Sequence, residues 1–352
     1  ILIADKLSIE AEKIFLANNI TCDIKTGLTE SEIIDIVDDY EGIVVRSATK
    51  ITKNIINAGK NLRVLGRAGI GVDNIDISSA TDKGIVVMNT PYGNSITTAE
   101  HTLSLMMSLA RNISQADQST KLGKWEKSKF MGTELFGKVL GMIGCGNIGA
   151  LVAERSIGLK MKVIVYDPFV SEEQLQKIGA RKVELKEIFN LADFITLHTP
   201  LTNETKGILN KKTMRECKKG VRIINCARGG LVVEEDLIDL LNESHIAGAA
   251  LDVFDEEPPK NNNLFKSENL ILTPHLGAST KEAQENVAIQ IAQQISDFLI
   301  NDVIVNSINV SPISIEEAPI LKPYLGLCQN LGKFGGQIIE SNIKKINIKF
   351  KG

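Results

Sequence analysis

Residues 138–168 read KVLGMIGCGNIGALVAERSIGLKMKVIVYDP. The stretch opens on an apolar run with the composition of a buried strand, KVLGMIG. Gly144, Gly146 and Gly149 then spell GxGxxG, a helical pattern follows, and KVIVYDP forms a second strand ending at Asp167. A glycine triplet alone marks many ordinary strand–helix turns. A triplet set between strand and helix, with an acid closing the next strand about 20 residues on, is the pattern of a dinucleotide-binding βαβ unit. Gly144 permits the tight turn, Gly146 lets the backbone approach a pyrophosphate, and Gly149 lets helix and strand pack closely. The helix N-terminus turns aligned N–H groups toward the phosphates. A carboxylate at Asp167 would accept the ribose hydroxyls of NAD and repel the extra phosphate of NADP. Pro168, Phe169 and Val170 behind it supply no arginine for that phosphate. The cofactor expected is therefore NAD. The plain alternative for Asp167 is a turn aspartate before proline.

The same alternation of short apolar runs and helical patterns extends in both directions. Toward the N-terminus it runs ILIAD, SIEAEKIFLANN, CDIK, TESEIIDIVDDY, GIVVR, NLRVLGRAG and GIVVMNT. Toward the C-terminus the strands are DFITLHTP, RIINCARG, IAGAALDVF and NLILTPH. Such alternation builds parallel sheets with crossover helices. Between the two series, SITTAEHTLSLMMSLARNI reads as one long amphipathic helix capped by Asn94 or Ser95. ENVAIQIAQQISDFLI is a helix near the end of the second series. From about residue 308 the text changes: SPISIEEAP is linker-like, LGLCQNLGKFGGQIIESN is a helix candidate, and IKKINIKFKG alternates like a strand.

The chain has 352 residues, room for two or three cores. Its net charge of −3 gives no basic field for nucleic acid or an anionic membrane. The apolar runs fall far short of the roughly 20 residues of a membrane span, and ILIADKL opens as a strand rather than a signal peptide. The five scattered cysteines show no paired spacing, which suggests reduced thiols in a cytoplasmic compartment and neither a disulfide frame nor a metal site.

Hydride chemistry needs a group that moves a proton, and histidine titrates near neutral pH. His101, inside the long helix, reads as helix surface or interface, and His245, in the polar turn NESHIAG, reads as exposed. His198 ends one strand and His275 follows another. Ligands in open α/β sheets bind beyond the carboxyl ends of strands, so both are candidates and position alone does not separate them. INCARGG places Arg228 after a strand, where a guanidinium can fork onto a carboxylate. ALDVFDEEPP places Asp255, Glu256 and Glu257 after the next strand, where one acid could hold a protonated imidazole. Singly, Arg228 also reads as a surface arginine at a turn, and the acidic run reads better as a solvated loop.

Taken in order, GRAGIGVDNID (66–76), MNTPYGNS (88–95), the glycine segment with YDP, INCARGG (224–230), GAALDVFDEEPP (248–259) and TPHLGAST (273–280) resemble the D-isomer-specific 2-hydroxyacid dehydrogenase family. The resemblance covers residues 1 to about 307. RSATKIT (46–52) and GKWEKSKFMGTEL (123–135) point to the branch acting on 3-phosphoglycerate, which feeds serine biosynthesis. The fold implied is α/β, with two Rossmann-like doubly wound parallel-sheet domains. Residues 1–93 and 275–307 would form a discontinuous substrate domain, 94–274 the NAD domain with its dimerisation helix, and 308–352 part of a small C-terminal α+β domain.

By the same resemblance, Arg228 would bind the substrate carboxylate and carbonyl oxygen, His275 would exchange the proton, and Glu257 would orient and charge His275. Gly144, Gly146, Gly149, Asn147 and Ile148 would meet the pyrophosphate and Asp167 the ribose, with Thr199 and Pro200 on the adenine side. Cys226, Ala227, Arg228, Asp252, His275, Gly277 and Ala278 would approach the nicotinamide. Arg46, Ser47, Thr49, Arg67, Gly69 and Asn94 would receive the substrate, chiefly its phosphate. Arg46 and Arg67 have a plainer reading as structural ion pairs. Lys127, with Lys129 beside Trp125, would reach a neighbouring subunit's site in a homodimer or dimer of dimers. Ile70 stands where the family often carries threonine, which would remove one possible cofactor contact. Two other readings share this pattern: a reductase of unphosphorylated 2-keto acids such as glyoxylate or hydroxypyruvate, and a NAD-sensing corepressor-like scaffold that binds peptides.

Overall fold

The computed structural model describes residues 1–260 and 263–338. They form two compact bodies, Ile1–Thr90 with the described residues from Val287 onward, and Pro91–Asn286. Residues 275–286, expected with the first body, thus belong to the second, and the described residues after 308 join the first instead of forming a body of their own.

The first body carries five parallel strands: β1 (Leu2–Ile3), β2 (Asp23–Ile24), β3 (Gly42–Val45), β4 (Val64–Arg67) and β5 (Val86–Asn89). Their order is β2-β1-β3-β4-β5. The crossovers are α1 (Ile9–Ala17), α2 (Glu30–Ile36), α3 (Lys53–Ala58) and α4 (Ile77–Asp82). Except at β2, the strands are buried on both faces, which is why they read as continuous apolar runs. Local chemistry sets the helix starts: Thr29 and Glu32 form a reciprocal capping box on α2, and Asp76 caps α4 through Ser79 N–H.

The second body begins with α5 (Ser95–Arg111) and α6 (Ile113–Lys121). The long helix expected over 95–113 is present as α5 and ends at Asn112, which turns left-handed at φ 52°. Asparagine tolerates that conformation, so the chain turns there and starts again as the polar α6. Seven parallel strands follow: β6 (Val139–Ile143), β7 (Lys162–Tyr166), β8 (Arg181–Lys182), β9 (Phe194–Leu197), β10 (Val221–Asn225), β11 (Ile246–Leu251) and β12 (Leu270–Leu272). Between them lie α7 (Asn147–Gly158), α8 (Glu172–Ile178), α9 (Leu185–Leu191), α10 (Lys211–Glu216) and α11 (Glu234–Asn242). The sheet order β12-β11-β10-β9-β6-β7-β8 places a switch point between β6 and β9. There the chain leaves one half of the sheet for the other, and neighbouring loops part to form a crevice.

The chain continues through α12 (Lys281–Asn301), which from Val287 packs in the first body, and ends its described part with α13 (Ala318–Ile338). Ile291 and Ile295 of α12 press on β4 so closely that a Cβ at Gly66 would stand 2.5 Å from Ile295. The linker-like stretch is partly tied down, since Ile304 bridges Ile313 antiparallel and Ser307 bridges Met88. The strand expected at 343–352 lies outside the described residues. Among the described residues, no helix is long and apolar enough to cross a membrane.

Candidate active site

The three glycines of the opening motif do different work. Gly144 has φ +93°, and a Cβ there would stand 2.3 Å from the His198 carbonyl oxygen, so the turn needs both its freedom and its smallness. A Cβ at Gly149 would stand 2.8 Å from the Gly144 carbonyl, which seats α7 against the loop. At Gly146 a Cβ would meet nothing within 4 Å, and no side chain caps α7. The first N–H groups of that helix therefore face open space, and the cradle fits a pyrophosphate. Asn147 is exposed, with its amide on Pro91 O at 3.3 Å, and Ile148 is half-buried.

Asp167 is buried and already engaged. Its Oδ2 accepts from Cys145 N–H at 2.7 Å, and Oδ1 accepts from Phe169 and Val170 N–H at 2.8 and 3.2 Å. The acid that reads as a ribose ligand also braces the glycine loop. Thr199 and Pro200 follow β9, where Thr199 N backs onto Gly144.

Arg228, Glu257 and His275 emerge from the carboxyl ends of three adjacent strands, β10, β11 and β12. Asn225 shapes the first of these turns, accepting from Ala227 N–H and donating to Arg228 O at 2.8 Å. Gly229 lies so close to the next loop that a Cβ would fall 1.8 Å from Phe254 O. Asp255 accepts from Gly230 N–H at 2.6 Å, tying the loops after β10 and β11 together. Within the second loop, Glu257 Oε1 accepts from Phe254 N–H at 3.1 Å, while Oε2 stands 2.6 Å from His275 Nδ1. Partial burial pushes the Glu257 carboxyl up, but its bonds to His275 and Phe254 N–H hold it below the ordinary carboxylate range. An ionised carboxylate only accepts, so Nδ1 carries the proton and Nε2 is the ring atom left to exchange one. His275 itself is strained, left-handed at φ 53°. Its N–H donates to Asp252 O at 2.9 Å.

His198, the other strand-end histidine, bonds its neighbour Thr196 at 3.0 Å, and burial lowers its imidazole to about 4. It stays neutral under the glycine loop and is no acid at neutral pH. Asp252 and Cys226, expected at the nicotinamide, have buried side chains. Those of Ala227 and Ala278 are half-buried, and Gly277 is buried.

This arrangement has close counterparts. Residues 103–277 match the family model described as D-isomer specific 2-hydroxyacid dehydrogenase, NAD binding domain. A D-3-phosphoglycerate dehydrogenase of Bacillus subtilis is 42% identical over the whole chain, which spans 67% of that protein. The chain belongs to the D-isomer-specific 2-hydroxyacid dehydrogenase family.

A second member, the D-3-phosphoglycerate dehydrogenase of Synechocystis, is 48% identical over 94% of the chain. The chain spans 60% of that relative's length. Among solved structures, the TT0316 protein of Thermus thermophilus superposes with a TM-score of 0.80 at 29% identity, covering 87% of this chain and 99% of its own. NAD is the cofactor of this family domain.

The residues expected on the substrate side fall mostly in the first body. Arg46 and Ser47 follow β3, half-buried and exposed respectively. Thr49 is buried, and its hydroxyl donates to Asp5 Oδ1 at 2.7 Å, which ties the loop to the end of β1. Asp5 Oδ2 also accepts from Arg46 and Thr49 N–H, and Asn74 donates to Arg46 O and Thr49 O. Arg67 folds back over Gly69, whose φ of +148° and missing Cβ make room for the guanidinium. Gly69 N–H and C=O are engaged by Arg67 O and Thr90 N–H, so its part is to admit Arg67. In the second body, Asn94 occupies the N-cap position of α5 without capping it, and its buried Oδ1 has no partner among the described residues. Lys127 is exposed in a short 3-10 turn, Lys127–Phe130.

One histidine reading also changes. His245 is half-buried, with Nε2 3.0 Å from Met214 O. His101 takes the interface side of its reading: Nε2 lies 3.1 Å from Asp252 and 3.2 Å from Thr273 Oγ1. Asp5, Asn74 and His101 escaped the sequence reading because each acts on a loop far along the chain.

Proposed function

We propose that the protein oxidises 3-phospho-D-glycerate reversibly to 3-phosphohydroxypyruvate, with His275 as the proton-exchanging group. The observation that carries this reading is the Glu257–His275 pair at 2.6 Å, beyond the strands that also present Arg228. NAD, when bound, accepts the hydride from C2. Neutral His275, its Nδ1 proton held by Glu257, takes the C2 hydroxyl proton at Nε2. In reduction, doubly protonated His275 returns it. Arg228 binds the carboxylate and stabilises charge on the C2 oxygen. The choice of a phosphorylated substrate is supported by relatives named for it at 42–49% identity. Arg46 and Ser47, on the loop braced by Asp5, are the proposed phosphate contacts, with Arg67.

The reading extends to a cytoplasmic homodimer. Ile113 and Leu122 on α6 and Trp125, Met131 and Phe136 beyond it expose 55–87% of their surface, an apolar patch that a second copy would cover. Lys127 and Lys129 extend from the same segment.

General acid–base catalysis contributes about 10²–10⁴-fold, so His275→Gln is expected to lose turnover by that factor while NADH still binds in a fluorescence titration. Near-full turnover with intact NADH binding would refute the role of His275.

A further inference from the structure

Helix α5 carries a polar stripe facing the three loops that hold Arg228, Glu257 and His275. Thr98 donates to Gly277 O at 2.8 Å, in the loop of His275. His101 meets Asp252, which starts the loop of Glu257, at 3.1 Å. Thr102, whose hydroxyl donates to Thr98 O at 2.9 Å, neighbours the Cys226 thiol, two residues before Arg228. Positions 98, 101 and 102 share one face of a helix, so a single rigid rod touches all three loops.

Asp252 is the centre of the contact. It is fully buried. Its Oδ1 accepts from Thr273 Oγ1 at 2.6 Å and Leu276 N–H at 2.7 Å, and Oδ2 from Gly277 N–H at 2.8 Å. Burial works against its charge, but the bonds from His101, Thr273 and Leu276 prevail and hold the carboxyl below its ordinary range. The Thr273 proton points to Asp252, so both oxygens facing His101 Nε2 are acceptors and Nε2 must carry a proton. His101, Cys226 and Asp252 place their polar atoms within 4.8 Å of one another, as a metal site would. With donors already crowding both oxygens of Asp252, the cluster is a hydrogen-bond network.

We propose that this stripe, and His101 above all, is a positioning element: it fixes Asp252, which clamps the 273–277 turn and keeps His275 left-handed with Nδ1 on Glu257. His101 touches no reacting atom and acts through Asp252. The proposal rests on the reading of His275 given above.

The test compares the whole wild-type chain with His101→Leu, which removes the donor, His101→Gln, whose amide can donate again, and Thr98→Val, which removes only the hydroxyl. Turnover is measured with the keto acid the wild type reduces, NADH affinity by fluorescence, and the His275 ring by ¹⁵N NMR. A misplaced reacting group costs up to about 100-fold, so kcat is expected to fall about tenfold or more in His101→Leu and less in Thr98→Val. KM and NADH affinity should stay near wild type, His101→Gln should recover most of kcat, and the His275 resonances should move in the leucine variant. Wild-type kcat with unmoved His275 resonances in His101→Leu and Thr98→Val would overturn the proposal. So would a parallel loss of kcat and NADH affinity that glutamine does not rescue, the mark of a merely structural histidine. The ring spectra need no turnover. Moved resonances in a protein whose His275→Gln variant stays fully active would support the stripe and remove the catalytic role of His275.

Discussion

His198 shows how one side chain sets a pH limit on the fold. Its imidazole is lowered from 6.5 to about 4 by burial at the end of β9. Above pH 6.5 it is neutral folded or unfolded and has no effect. Between pH 6.5 and about 4 the unfolded chain takes up a proton that the folded one refuses, so stability falls with acidity. The shift amounts to at most roughly 3 kcal/mol, an upper bound because part of the residue's surface stays exposed. Glu257 acts in a lower window: with its carboxyl held down, its contribution is present above the ordinary carboxylate range and lost as pH falls through the depressed value. Denaturant titrations across this range should show the loss below pH 6.5 in the wild type and a flatter profile in His198→Gln. Identical profiles would remove His198 from the account of acid stability.

At the scale of elements, the loop after β3 is expected to be a shaped receptor. Asp5 stands 41 to 44 residues away from the N–H groups it accepts, and Asn74 closes the loop from the other side. Asp5→Asn places a donor among donors and removes bonds of a kind worth about 1.5–3 kcal/mol. Steady-state kinetics should show a raised KM for the phosphorylated acid with NADH affinity unchanged, whereas an unchanged KM would mean that the loop holds its shape without Asp5. This clamp also marks where sequence reading ends. The β6–α7–β7 unit was legible because its glycines, helix start and Asp167 all lie within one short segment. That Arg228, Glu257 and His275 lie at neighbouring strand ends was legible because each follows its own strand in a recognisable string. The inward turn of Thr49 onto Asp5 is not legible, because no local pattern says which way a hydroxyl faces. The path from His101 to Asp252 spans 151 positions in the chain, and no periodicity records it.

For the whole molecule, the exposed apolar residues along α6 and the segment beyond it support the proposed self-association. Light scattering should give the mass of a dimer or its multiple, and Ile113→Asp, placed where 55% of the side-chain-bearing residue is exposed, should shift it toward the monomer without unfolding it. A wild-type chain that stays monomeric would contradict the homodimer. The central functional claim concerns which acid the assembled protein reduces. Its most direct test follows NADH absorbance with 3-phosphohydroxypyruvate against hydroxypyruvate and glyoxylate under identical conditions. Charge-assisted contacts to the phosphate are expected to raise kcat/KM for the phosphorylated acid about 10- to 100-fold over both others. An equal or higher kcat/KM for either unphosphorylated acid would contradict that expectation.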